Sequence, residues 1–176
     1  HHPIIETPEC WEVIDKEVIH FSTLQPLTLT VMYQRSPSAS SLQFANFMPT
    51  YPSLNGFIFI KEDNKWHPQY FVDAETMVKK MPNLSQLYLS FSNNPVRDYL
   101  PSSIIEEATQ LKVLVVNRQY HYYPEQDAVA EEATLAFSET LQQLTQLRLL
   151  FLGTQSISAN FLDLSSLTNL EGIYLG

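Results

Sequence analysis

Only one cysteine, Cys10, stands among the 176 residues, so no disulfide can form within the chain. That scarcity fits a reducing compartment, and a cytoplasmic home is expected, although a cysteine-poor secreted protein is also compatible. No apolar run reaches the roughly 18 residues that a membrane-spanning helix needs, so membrane insertion is not expected. The opening "HHPIIETPEC" has no basic segment ahead of an apolar one and does not read as a signal peptide; His1 and His2 read as the end of a purification tag. Cations are scarce in the second half. After Arg118 the only one is Arg148, against Glu125, Asp127, Glu131, Glu132, Glu139, Asp163 and Glu171, and the net charge is −9. Such a surface repels phosphate, which argues against nucleic acid and anionic lipid as partners.

Signs of chemistry are equally sparse. No G-x-S-x-G, P-loop, G-x-G-x-x-G or H-E-x-x-H motif occurs. His20, His67 and His121 are far apart in the chain and fall at unrelated places in its periodicity, so they read as surface or edge histidines and not as metal ligands or a catalytic base. Glu106–Glu107 and Glu131–Glu132 are adjacent pairs, and adjacent side chains on a helix do not face one another, so they read as solvated outer faces. Asn83-Leu84-Ser85 matches a glycosylation sequon, but Leu84 is needed in the core, and the match reads as coincidence. Cys10 has no histidine in its local context and reads as a packing residue. No catalytic residue, no metal, no cofactor and no small-molecule substrate is expected.

What the chain does have is a repeat. A leucine is followed by apolar residues three and five places on at Leu24-Leu27-Leu29, Leu54-Phe57-Phe59, Leu84-Leu87-Leu89, Leu111-Leu114-Val116, Leu147-Leu150-Leu152 and Leu170-Ile173-Leu175. The steps between anchors are 30, 30, 27, 36 and 23 residues, and the flanks "YPSL", "MPNL", "ATQL", "LTQL" and "LTNL" match in type. In an extended strand alternate side chains share a face, so Leu87 and Leu89 point one way and Tyr88 the other. One such strand cannot bury its apolar side alone, whereas parallel copies stacked about 4.8 Å apart form a continuous core. Three return segments read as helices: "VDAETMVKKM", with Ala74, Val78 and Met81 inward; "PSSIIEEATQL", with Ile104 or Ile105 and Ala108 inward; and "DAVAEEATLAFSETLQQL", with Val129, Ala133, Phe137, Leu141 and Leu144 inward.

The L-x-x-L-x-L spacing resembles the leucine-rich repeat family, most closely in "LRLLFLGTQSISANFLDLSSLTNL", where Ile157, Phe161, Leu164 and Leu167 continue the apolar places before Leu170. One departure is Gln155, where the family usually has Asn or Cys. The resemblance covers roughly residues 20–176. It implies an α/β solenoid, with parallel strands on a concave face and helices or short turns on a convex one. Residues 1–20 are then an N-terminal capping segment and residues 21–176 an array of about six strands without a C-terminal cap. Relatives act as inhibitors, adaptors and substrate-recognition subunits, and short cytosolic members occur among bacterial effectors, which would place this chain in a host cytosol. The chain is therefore expected to be a non-enzymatic protein-interaction module that binds its partner through the concave face, as an inhibitor or regulator of an enzyme, with a substrate-recognition fragment of a ubiquitin ligase or multidomain effector as the alternative.

The expected contact surface follows from the strand alternation. The residue between the last two core places gives a row of Thr28, Ile58, Tyr88, Val115, Phe151 and Tyr174. Two places earlier stand Pro26, Gly56, Gln86, Val113, Leu149 and Gly172; three places later stand Val31, Lys61, Phe91, Arg118 and Thr154. Ile58, Tyr88, Phe91, Val113, Val115, Leu149, Phe151 and Tyr174 are the expected partner-binding residues, because a solvated sheet face would carry polar groups there. The competing readings are that β-branched and aromatic residues simply favour strands, or that another segment covers the strip. The insertion "NRQYHYYPEQD" offers Tyr120, His121, Tyr122 and Tyr123 as a contact loop, or as rings packed on a neighbouring helix. The final "NLEGIYLG" reads as a sixth strand whose edge is expected to be covered by further sequence or a packed neighbour.

Overall fold

The computed structural model describes residues 13–14, 19–25, 28–33, 45–46, 48–61, 69–92, 102–119, 131–153 and 162–175. Eight strands form one sheet in chain order: β1 (Val13–Ile14), β2 (Ile19–Gln25), β3 (Thr28–Tyr33), β4 (Gly56–Lys61), β5 (Gln86–Ser92), β6 (Val113–Gln119), β7 (Leu149–Gly153) and β8 (Gly172–Leu175). β1–β2 and β2–β3 pair antiparallel, and every pair from β3 to β8 is parallel. Parallel neighbours need a crossover connection. Helices α1 (Gln69–Lys79), α2 (Ser102–Ile105) and α3 (Glu131–Gln142) lie in the crossovers after β4, β5 and β6. The chain is thus α/β, with six parallel strands and few helices.

The matching flanks have a common backbone geometry. The N–H groups of Leu54, Leu84, Leu111, Leu147 and Leu170 donate to the carbonyls of Tyr51, Met81, Ala108, Leu144 and Leu167, three residues back. Each of these tight turns delivers its leucine to the start of a strand. Just beyond, the carbonyls of Asn55, Ser85, Lys112 and Arg148 each accept two N–H groups from the next unit: Ser85 and Gln86, Lys112 and Val113, Arg148 and Leu149, Glu171 and Gly172. Side chains also tie unit to unit. The Asn83 amide donates to the Pro52 carbonyl at 2.6 Å, and the Asn169 amide to the Thr145 carbonyl at 2.9 Å. Buried or half-buried backbone groups at a turn must find partners, and here each unit supplies those of the next.

The core lies on one face of the sheet, under the helices. Leu29, Val31, Phe57, Phe59, Leu87, Leu89, Phe91, Leu114, Val116, Leu150 and Leu152 from the strands meet Phe71, Ala74, Met77 and Val78 of α1, Ile104 and Ile105 of α2, and Phe137 and Leu141 of α3, all buried. Each fully buried aliphatic or aromatic side chain contributes about 1.5–3 kcal/mol by leaving water. α1 begins three residues earlier than the "VDAETMVKKM" reading. α2 is only four residues long, so both Ile104 and Ile105 reach the core from one short turn of helix. In α3, Phe137, Leu141 and the following Leu144 are buried as their spacing predicts; Val129 lies outside the described residues.

Polar groups fasten the ends of the units. The Lys80 Nζ donates to the Ala45 carbonyl at 2.6 Å, to the Asn46 carbonyl at 3.2 Å and to the Met48 carbonyl. Burial lowers the pKa of this ammonium. Its own carbonyl accepts the Tyr51 N–H at 2.7 Å, so one residue holds the approach to β4 against the end of α1. In the shortest unit the Ser138 hydroxyl of α3 accepts the Asp163 N–H at 2.8 Å and donates to the Asp163 carbonyl at 3.3 Å. The Asp163 carboxylate takes the Ser165 N–H at 2.9 Å, and the Ser165 hydroxyl and N–H hold its pKa below the ordinary range.

Two expectations change near the start. β2 straddles residue 20, so the boundary drawn there falls inside a strand, and β1–β2–β3 is an antiparallel run ahead of the parallel set. The first repeat is also shifted. Leu29 pairs with Phe57 and Val31 with Phe59, so the first step is 28 residues and the core places are Leu29 and Val31, not Leu27 and Leu29. A two-residue slip preserves the face of every side chain, which is why the alternation alone did not reveal it.

Candidate functional site

The outer face of the sheet, opposite the helices, is built from the strand residues that alternate with the core. Register runs straight across the parallel strands. Thr30, Ile58, Tyr88, Val115, Phe151 and Tyr174 are successive partners and form one row. Thr30 therefore takes the place expected for Thr28. Thr28, Gly56, Gln86, Val113, Leu149 and Gly172 form the preceding row, and Met32, Ile60, Ser90, Asn117 and Gly153 the following one. No Asp, Glu, Lys or Arg stands in any of the three rows.

Of the residues expected to contact a partner, Ile58, Tyr88, Val113, Val115 and Phe151 are half-buried on this face, while Leu149 and Tyr174 are 47% and 55% exposed. Phe91 is a correction. It is 3% exposed and lies in the core, its ring 4.6 Å from that of Phe71 and 5.8 Å from that of Phe59. The reason is parity. Three places beyond Tyr88 reverses the face, and two places beyond gives Ser90. Val31 and Lys61 of the same expected row are buried for the same reason, Lys61 with its ammonium 5.4 Å from the Tyr70 ring centroid. Counting by twos would have found Ile60, Ser90 and Asn117 instead. Tyr120, His121, Tyr122 and Tyr123 lie outside the described residues.

Aromatic packing organises one end of the face. The rings of Phe151 and Tyr174 stack at 4.4 Å between centroids and 6° between planes. Phe151 also leans over Gly153, where an added Cβ would come within 2.7 Å of the ring, so glycine leaves the space the ring needs. Just ahead of β7 and β8, at the border of the face, Arg148 and Glu171 form a two-pronged ion pair, with Nη2 to Oε1 at 2.7 Å and Nη2 to Oε2 at 2.9 Å. Both side chains are exposed, so the pair contributes only about 0–1 kcal/mol. On β8, Ile173 and Leu175 share register with buried Leu150 and Leu152 yet are about half exposed, because no described residue continues the sheet past β8.

At the other end lies a hollow of about 200 Å³, lined among others by Thr28, Gly56, Ile58, Gln86, Tyr88 and Val113. Its floor is Gly56. A Cβ there would stand 2.6 Å from the Thr28 Oγ1, so the side chain of the neighbouring strand leans into the place a larger residue would fill. Among the described residues no group of three or more His, Cys, Asp or Glu could hold a metal ion, and no helix is long and apolar enough to cross a membrane. No protein-family model, no curated protein and no solved structure matches the chain.

Proposed function

We propose that the chain is a leucine-rich repeat solenoid that acts as a non-enzymatic protein-interaction module and takes a protein partner on the outer face of its sheet. The observation that carries this reading is the row Ile58, Tyr88, Val115, Phe151 and Tyr174, aligned in register across five strands with no charge in the flanking rows. At the usual strand spacing the row spans roughly 20 Å, a length suited to a folded partner or an extended segment. Aromatic residues in apolar surroundings are enriched among the side chains that dominate protein interfaces. The repeated turns, with their unit-to-unit backbone and asparagine bonds, support the solenoid reading. A module of this kind regulates or inhibits an enzyme by covering it and needs no chemistry of its own.

The test is quantitative affinity enrichment from cytosol with Tyr88→Ala/Phe151→Ala on the sheet face and Val72→Ala/Leu135→Ala on exposed helix positions as the control. The reading expects a partner whose recovery falls with the first pair and not with the second. Equal recovery with both would remove the sheet face as the site.

A further inference from the structure

We propose that the hollow over Gly56 is an anchor pocket for one uncharged aromatic side chain of a protein partner. This rests on the reading that the sheet face binds protein, and adds what the partner must present there. Three observations converge. The first is shape: at about 200 Å³ the hollow has room for one six-membered ring, since a cavity of about 150 Å³ holds benzene. The second is its floor. Gly56 bears no side chain, so the Thr28 side chain folds over it and closes the bottom, while Ile58, Tyr88, Val113 and Val115 stand as apolar walls that a ring can lie against. The third is charge. None of the three rows that form the face carries an ionised group, so a charged side chain would lose its hydration with no countercharge to meet. A neutral ring loses little, and Thr28 and exposed Gln86 in the lining offer a hydroxyl and an amide to a polar tip such as a phenol. Tyrosine and tryptophan combine that apolar body with a polar end.

The complementary group is therefore a tyrosine-like anchor on an uncharged stretch of the partner. The apolar row toward Phe151 and Tyr174 serves as the flat surface on one side of it. A single well-filled pocket within a flatter contact is how interface energy is commonly concentrated.

4-Methylphenol, a tyrosine side chain without its backbone, is the probe. Methyl NMR spectra of the full chain, titrated with it, should move the signals of Ile58, Val113 and Val115 together, with a Kd in the low millimolar range (~1–5 mM). 4-Methylbenzoate and 4-methylbenzylamine, same ring but charged, should bind about tenfold more weakly. Val113→Phe, from a half-buried wall, puts a ring of the chain's own into the hollow and should weaken the phenol about tenfold. Should that variant not fold, Val113→Lys, on a half-buried wall, is the second test and should weaken it by a similar factor. Absence of shifts at about 10 mM phenol, shifts spread evenly over the face, equal binding of the charged probes, or unchanged binding to a folded variant would each overturn the pocket. If the phenol finds no site while partner recovery still depends on Tyr88 and Phe151, the interaction face stands and this anchor falls. If the phenol binds as described while recovery ignores those residues, the pocket stands and the protein-binding reading of the wider face falls.

Discussion

Leu87 and Tyr88 are neighbours in the chain and belong to opposite faces of one strand. Behind Leu87 lie Leu89, Phe91, the core residues Phe71, Ala74, Met77 and Val78 of α1, and Phe57, Phe59, Leu114 and Val116 of the flanking strands, all closed from water. Before Tyr88, among the described residues, lies solvent. The outer face carries no charge and many apolar residues, so the usual contrast of hydrophobic inside and charged outside does not tell the two apart. Side-chain type does. The covered face is mostly leucine and phenylalanine, which interdigitate with helices. The outer face carries threonine, isoleucine, valine and aromatic rings, which suit a flat pleated surface. The covered side holds the sheet together, and in the proposed reading the outer side is offered to a partner.

The largest expected effect comes from breaking the covered side. Phe59→Ala removes a ring with no exposed surface that packs on Phe57 and Phe91, and should cost about 3–5 kcal/mol in urea unfolding. Ile58→Ala, one residue away on the outer face, should cost less than about 1 kcal/mol by the same measurement. Next is the clip at the end of α1. Lys80→Ala frees the carbonyls of Ala45, Asn46 and Met48 and should lower stability by about 1.5–3 kcal/mol, with the hydrogen-exchange protection of residues 48–54 falling before that of β5 and β6.

A smaller effect depends on pH. Tyr51 is buried, and burial pushes its phenol up to about 12 from the ordinary 10. A pKa raised on folding means stability that is present below pH 10 and lost as pH climbs toward 12. Between pH 10 and 11 that loss is about 1 kcal/mol, and Tyr51→Phe should remove it from the pH profile of the denaturant midpoint. Smallest is Arg148→Ala, at the border of the outer face. Both partners of its ion pair are exposed, and the change in melting should correspond to no more than about 1 kcal/mol and shrink further in salt.

Much of the fold was legible because the repeat carries its own register. Leu84-Leu87-Leu89 and its counterparts at Leu111 and Leu147 mark turn, strand and core places alike, the one at Leu170 marks turn and strand, and the helix at 131–142 follows from the spacing of Phe137, Leu141 and Leu144. The first unit was misread by two residues because "LQPLTLTV" offers leucines at 24, 27 and 29, while the strand uses Leu29 and Val31; period-two patterning cannot distinguish registers two apart. The antiparallel β1 and β2 had no repeat to betray them. Most of the outer row followed from alternation, and Phe91 was misplaced only where the count departed from it. The hollow was not legible at all. Gly56 was visible in its row, but the shape of the hollow depends on how Thr28, Gln86 and Val113 from three strands close around it.

Val115 and Val116 offer the most direct test of the contrast between the faces. They are adjacent on β6, half-buried outside and buried inside, and threonine matches valine in shape while adding a hydroxyl. Denaturant midpoints should place Val116→Thr about 1–3 kcal/mol below the parent, because its hydroxyl is buried among apolar groups, and Val115→Thr within about 0.5 kcal/mol of it. Equal losses at the two positions would mean that the chain itself covers the outer face, and would contradict a surface kept free for a partner.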